Sequence, residues 1–402
     1  SSQEGAEDPE VALLAEALLG MVDGLDAGEA VAVLEALSGA RGRLARVAPL
    51  LDAVERVGDL VASHASSLST LSLLAALNWF AASGLPYHLL FEAVLLAIIE
   101  RNAAGSTSWS QVVGVLEAFA AVRLRMPELA ALYSHLRQPA ELARMPTMAM
   151  VRFLSASARL ELLDASGGDP HEIVERVLAE TTPLRPLPLD SSIVLIQSLY
   201  LSRTVLPDRQ LKHLLSWIAT ARVQQLTPQQ LSVLRQYSLA LLAQPDAQDG
   251  EALLRLPIEM QRFASALLRH RSPPWAPPTS DTTRRFRDEV ALLPEVAARQ
   301  GPLQGGARAV SLGPAGSVDL CLGGECWLLD GPEAFFRPFT AGLRRTPHEQ
   351  RRAWLLGRAL GDEDSRRRIA EFLPGAAGWP RLAGPRRLSW LEWGRSAVGA
   401  RA

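Results

Sequence analysis

The chain has 402 residues, 48% hydrophobic and 21% charged, with a net charge of −2, a composition that can bury a core and excludes an intrinsically disordered chain. No apolar run is long and clean enough to span a bilayer, the best being Leu89 to Ile99 with Glu92 inside it, and no secretory signal or arginine-rich presequence is visible. Two cysteines and seven scattered histidines, with no phosphate-binding loop, dinucleotide fingerprint, G-x-S-x-G or H-E-x-x-H, point to no cofactor and no metal.

Residues 1–10 are acidic and polar and read as a frayed tail. From Val11 to about Arg271 the apolar spacing is helical. Leu71, Leu74, Leu77 and Ala81 form one predicted stripe, Val112, Leu116 and Phe119 a second, and Ile193, Ile196 and Leu199 with Tyr200 a third. Ser108-Trp109-Ser110-Gln111 and Thr227-Pro228-Gln229-Gln230 read as capping boxes. First helices of successive pairs are predicted to begin near Asp26, Thr70, Ser108, Thr147, Asp190 and Thr227, and Phe80-Ala81-Ala82 recurs as Phe119-Ala120-Ala121. Such a period predicts an α-solenoid of helix-pair repeats over residues 1–271; an irregular helical domain is the alternative.

Residues 272–281 contain four prolines and read as a linker. The C-terminal region, 282–402, opens with a predicted helix from about Thr282 to Arg299. A Gly-rich loop follows from Gly301 to Gly316, then strands Ser317–Leu322 and Glu325–Leu329. Cys321 and Cys326 flank the hairpin turn between them, as a cross-strand disulfide or as buried thiols, of which the thiols are favoured.

Residues 315–395 carry an ordered set of motifs. Asp319 lies on the first strand. Asp330-Gly331-Pro332 ends the second, with Phe335 and Phe336 after it. Thr346-Pro347-His348-Glu349, a further capping box, opens a helix through Arg351-Arg352-Ala353-Trp354, and Trp390-Leu391-Glu392-Trp393 closes the set. This arrangement resembles the RAP domain, an RNA-binding module of organellar proteins. The resemblance implies a small α/β domain similar to the restriction-endonuclease-like fold, after the mostly α repeats. It departs from the family where Leu328 stands in a position often held by Glu, and where Gly361 to Ala377, with Arg366-Arg367-Arg368, reads as an insertion. Without an acidic residue at 328 or a nearby lysine the nuclease metal site is incomplete, so no catalytic residue is expected and Asp330-Gly331-Pro332 reads as a turn.

The charge is split. Residues 1–180 hold 12 Lys+Arg against 23 Asp+Glu, residues 181–280 hold 10 against 6, and residues 281–402 hold 19 against 14. Phosphate is therefore expected to meet the C-terminal part. The candidate RNA-binding residues are Arg344, Arg345, Arg351, Arg352, Arg386 and Arg387, with Trp379 and Trp393 as stacking candidates. Any contact by the repeats is expected near Arg203, Lys212, Arg235, Arg262 and Arg269, or from a local patch at Arg41, Arg43 and Arg46. The acidic early repeats are expected to dock on protein. Helical repeats ending in this module resemble organellar RNA-processing and ribosome-associated proteins. That implies a non-catalytic RNA-binding protein of the mitochondrion, or alternatively the plastid, associated with the ribosome or its RNA. The alternatives are a messenger-RNA stability factor and a protein-binding scaffold.

Overall fold

The computed structural model describes residues 9–40, 48–165, 170–181, 186–204, 206–243, 256–270, 281–291, 310–311, 317–322, 325–337, 344–372 and 386–389. These are mostly helical, with a small sheet near the C-terminus. Two compact units divide the chain, Ser1–Gly168 with Arg337–Gly342, and Asp169–Phe336 with Leu343–Ala402. The division falls inside the span expected to be repeats alone, and the second unit joins its later helices to the sheet. Of the expected linker only Asp281 is among the described residues, as the first residue of a helix.

In the first unit the helices are α1 (Pro9–Val22), α2 (Ala27–Ala36), α3 (Ala48–Ser63), α4 (Thr70–Ala82), α5 (His88–Ala103), α6 (Trp109–Val122), α7 (Leu129–Leu136), α8 (Pro139–Arg144), α9 (Thr147–Arg159) and α10 (Leu162–Ala165). They pack in two rows. Helix α2 lies against α4, α4 against α6, and α6 against α9, while α1, α3, α5, α7 and α10 follow one another in the second row. Phe91 and Phe119 meet edge to face at 5.0 Å where the rows join.

In the second unit α11 (His171–Glu180), α12 (Leu189–Leu201), α13 (Asp208–Ile218), α14 (Pro228–Leu242) and α15 (Ile258–Arg269) continue the pattern, with α12 against α14 and α11 against α13. Helix α16 (Asp281–Ala291) precedes the strands. After them α17 (Pro347–Gly361) packs on α12 and α14, and α18 (Glu363–Phe372) packs on α14 and α17. The segment read as an insertion is thus partly a helix, tied down by Ile369, which is fully buried, and by Ser365, whose hydroxyl donates to Ala243 O at 3.3 Å.

Local chemistry explains the helix starts. Asp26 caps α2 and accepts from Glu29 N, with the reciprocal bond from Asp26 N to Glu29. Thr227 and Gln230 make both bonds of the expected box on α14, and Gln111 accepts from Ser108 N at 2.8 Å on α6. Five of the six expected starts fall on the cap or the first residue of a helix beginning at the expected place: Asp26, Ser108 and Thr227 as caps, and Thr70 and Thr147 as first residues. The sixth, Asp190, is the second residue of α12.

The helix ends repeat more strictly than the sequence suggested. Ser69, Ser108, Pro146 and Pro188 are the N-caps of α4, α6, α9 and α12. Fifteen residues after each stands a residue of positive φ: Gly84 (70°), Arg123 (58°), Glu161 (55°) and Arg203 (58°). Next to three of them the same backbone bond closes the helix: Leu85 N to Phe80 O, Leu124 N to Phe119 O, and Thr204 N to Leu199 O, each 3.0 Å. This is the left-handed closure of a Schellman motif. One expected stripe is corrected. Leu71 is 72% exposed, and α4 buries Leu73, Leu74, Ala76, Leu77, Trp79 and Phe80 instead, because a helix between two neighbours on its own row needs a broader apolar face than one stripe.

The strands are β1 (Val310–Ser311), β2 (Ser317–Val318), β3 (Leu320–Leu322), β4 (Glu325–Asp330) and β5 (Arg386–Ser389). β1, inside what reads as loop in the sequence, pairs with β2, the start of the first expected strand. β3 and β4 form the expected hairpin with Cys321 opposite Cys326, and Cys326 is a buried reduced thiol. β4 pairs in parallel with β5. The long predicted strand breaks at Asp319, whose carboxylate takes Leu329 N–H at 2.9 Å while its own N–H donates to Trp327 O. Gly331 follows β4 where a Cβ would clash with the Thr283 side chain of α16, so only glycine allows that helix to approach.

Candidate functional site

A polar cluster of the second unit forms where β4, β5, α16 and α17 meet. Asp330 ends β4. Parallel pairing sets Arg387 opposite Leu328 and Ser389 opposite Asp330, so Arg387 and Asp330 share a face of the sheet. Arg387 Nη2 donates to Asp330 Oδ1 at 2.9 Å, with Nε an equal distance from Oδ2 as an ion contact without hydrogen-bond alignment. Arg345 Nε donates to Asp330 Oδ2 at 2.7 Å.

Glu349, in the first turn of α17, is the second carboxylate. It lies 3.4 Å from both Arg352 Nη1 and Arg387 Nη2, and Arg387 Nη1 also donates to its carbonyl at 3.1 Å. The sequence placed Glu349 in a capping box, but Thr346 makes no side-chain cap bond. The guanidiniums draw Glu349 away, since a charge-assisted contact outweighs a neutral cap. Burial pushes the Glu349 carboxyl up, but the hydrogen bond from His348 and the charges of Arg352, His348 and Arg387 outweigh it and hold the group down at about 2. The third carboxylate, Asp319, meets Arg287 Nη2 of α16 at 2.9 Å and Arg352 Nη2 at 3.8 Å.

Four guanidiniums therefore close around three carboxylates. The two aspartates that could be read as a metal pair are each occupied by arginine, and Leu328, between them on β4, is fully buried. Among the described residues no group of three His, Cys, Asp or Glu could hold a metal ion, and no helix is long and apolar enough to cross a membrane.

The expected RNA-binding residues are distributed unevenly over this cluster. Arg345, Arg352 and Arg387 are half-buried inside it. Arg344 and Arg386 are exposed at its margin, Arg386 over the Trp327 ring at 5.7 Å. Arg351 is buried, outside the network, and stacks on Tyr200 and Trp354. Trp379 and Trp393 lie outside the described residues, as do Arg41, Arg43 and Arg46. Of the later repeat residues, Arg203 is exposed and reaches Gln350 at 3.2 Å. Arg235 is buried and donates to Leu267 O at 2.8 Å and to His270 O, at the end of α15. Sequence reasoning missed Glu349, Arg287 and Tyr200. The spacing of Glu349 and Arg352 is a helix-face pair that could have been read; Arg287 and Asp319 are joined only by the fold. No family model matches the sequence, and no curated protein matches it.

Proposed function

We propose that this chain is a non-catalytic organellar RNA-binding protein: an α-solenoid of helix pairs ending in a RAP-like module, held in the mitochondrial ribosome or on its RNA. The observation that carries the reading is the excess of guanidinium in the second unit. Arg287, Arg345, Arg352 and Arg387 outnumber Asp319, Asp330 and Glu349, and Arg203, Arg344 and Arg386 stand exposed around them. A net cation with planar forks at its rim suits phosphate. The rows of helix pairs with one recurring helix end support the solenoid, and the β–α–β order around α17 supports the RAP-like module. The carboxylates serve structure, because a divalent ion would have to displace guanidiniums already paired with them. The acidic first unit is read as a protein-docking surface.

The test is RNA affinity across a salt series, run with the full chain and with Arg344 and Arg386 both changed to Ala. Affinity should fall linearly on a log–log plot, and the double variant should lower the slope by about 1.4, roughly 0.7 per lost phosphate contact on single strands. A wild-type slope near zero defeats the proposal. Incubation of the same protein with RNA and Mg²⁺ or Mn²⁺ should leave the RNA intact; cleavage abolished by Asp330→Asn would restore the nuclease reading.

A further inference from the structure

Helix α13 carries a cationic face that no anion covers. Its inward side is fixed by Leu211, Leu214 and Ile218, which are buried. The opposite side then presents Arg209, Lys212, His213, Ser216 and Trp217, at i, i+3, i+4, i+7 and i+8 on one helix surface. Arg209 is exposed, and the other four are half-buried. Neither Arg209 nor Lys212 meets a carboxylate among the described residues. The one acid of α13, Asp208, is its first residue.

Rings share this face with the cations. His213 and Trp217 stand edge to face, with centroids 4.6 Å apart and planes at 66°. In such a pair one ring presents its edge, so the partner covers neither of its faces. The hydroxyl donors here are spent on the chain itself: Ser216 Oγ donates to His213 O at 2.7 Å and Thr220 Oγ1 to Trp217 O at 2.6 Å. The face therefore offers charge and ring area rather than a set of donors that could read a sequence. Other helices of the row are acidic outside. α11, which packs beside α13, exposes Glu172 and Glu175, and α5 of the first unit exposes Glu92 and Glu100. The change of sign belongs to α13 and is not a property of the row.

We propose that the outward face of α13 binds single-stranded RNA, with a base stacked on the Trp217–His213 pair and neighbouring phosphates on Lys212 and Arg209. The site rests on the RNA-binding reading above and uses none of the arginines around the sheet. Lys212 precedes Trp217 by about 7.5 Å along the helix axis and Arg209 by about 12 Å, so a strand laid along α13 with a base on the ring carries its backbone past both cations. Cations under phosphates and aromatic faces under bases are how single strands are held without regard to sequence. An acidic peptide would use the charges and leave the rings idle.

The experiment crosslinks oligouridine to the full chain with ultraviolet light and maps the modified tryptic peptides. Trypsin cuts after Lys212 and Arg222, so His213 and Trp217 fall in one peptide, residues 213–222, and uridine should be found on it. Affinity is measured in parallel across a salt series. Trp217→Leu should weaken binding at least about fivefold, the lower end of the value of one base stack. Arg209→Gln combined with Lys212→Gln changes only outward head groups, so it tests the site without disturbing the core, and should lower the salt slope by about 1.4. Salt-sensitive binding with no uridine on residues 213–222, unchanged in both variants, overturns the site and leaves RNA binding standing. A lowered slope in the charge variant with full affinity in Trp217→Leu removes the stacking and overturns the site as proposed. Polyglutamate that displaces oligouridine equally well from the wild type and from Trp217→Leu assigns the face to an acidic protein and overturns the choice of RNA. A wild-type chain with no salt-sensitive RNA binding overturns both the site and the proposed function.

Discussion

The two units put their arginines to different uses. In the first, arginines clamp backbone. Arg101 of α5 donates to the carbonyls of Ala65, Ser66 and Leu68, just beyond the end of α3, and to Thr70 Oγ1 at the start of α4. Arg125 Nε donates to Leu160 O, and Arg159 Nη2 to Ala120 O. These groups satisfy the orphan carbonyls and the negative pole of helix C-termini. In the second unit, Arg235 does the same, but most of the partnered arginines around the sheet meet carboxylates. A guanidinium counted in a sequence is therefore not yet a guanidinium offered to a ligand.

The contrast is sharpest if one charge is removed from each unit. Glu349→Gln leaves Arg352 and Arg387 short of a counter-charge in a buried cluster, and should cost about 3–5 kcal/mol of unfolding free energy. In the first unit Arg152 pairs with Glu117 at the surface between α6 and α9, with side chains 55% and 34% exposed. Arg152→Ala should cost under about 1 kcal/mol. Urea titration of both variants makes the comparison; equal losses would mean the cluster is solvated like the surface pair.

Acid attacks the same difference. Glu349 is held at about 2, below its ordinary 4.5. A depressed carboxylate adds stability above its unfolded pKa and loses it as pH falls toward the folded one. The second unit should thus lose about 3 kcal/mol between pH 4.5 and 2, and Glu349→Gln should flatten that fall. Denaturation midpoints followed down this window give the answer; an identical fall in the variant places the acid sensitivity elsewhere.

The clamps of the first unit rank next. Arg101→Ala unmakes three bonds to carbonyls and one to a hydroxyl, and should cost about 2 kcal/mol, with proteolysis appearing first near residues 65–70.

How much of this was legible depended on whether the cause was local. Helix starts were, because a cap is four residues of chemistry: Asp26 with Glu29, Thr227 with Gln230. The hairpin was, because Cys321 to Cys326 carries its own turn. The stripe through Leu71 failed because one face of a helix cannot tell how many neighbours it will meet. Thr346-to-Glu349 matched a capping pattern in letters, yet the fold brought Arg387, 38 residues away, to the same carboxylate. The charge split marks the basic end only in bulk, and which of Arg344, Arg345, Arg351 and Arg352 faces solvent depended on β5 and α12.

The smallest expected effect separates architecture from charge. Arg123 ends α6 at φ 58°, where Gly84 ends α4 at φ 70° with nothing within 4 Å of a Cβ. A left-handed residue other than glycine is strained. Arg123 also bears like charge on Arg159 and Arg337, lowering both pKa values beyond the effect of their burial. Arg337 lies alongside: its N–H donates to Arg123 O and its carbonyl accepts from Arg125 N–H, each at 2.9 Å. These are backbone bonds that a substitution at 123 keeps. Arg123→Gly should therefore stabilise the first unit by about 0.5–1 kcal/mol, and Gly84→Ala should destabilise it by a similar amount. Paired urea titrations decide the matter. Loss of stability in Arg123→Gly would show that the side chain contributes more than its backbone strain costs, and that the recurring left-handed position is occupied by arginine for a reason beyond closing a helix.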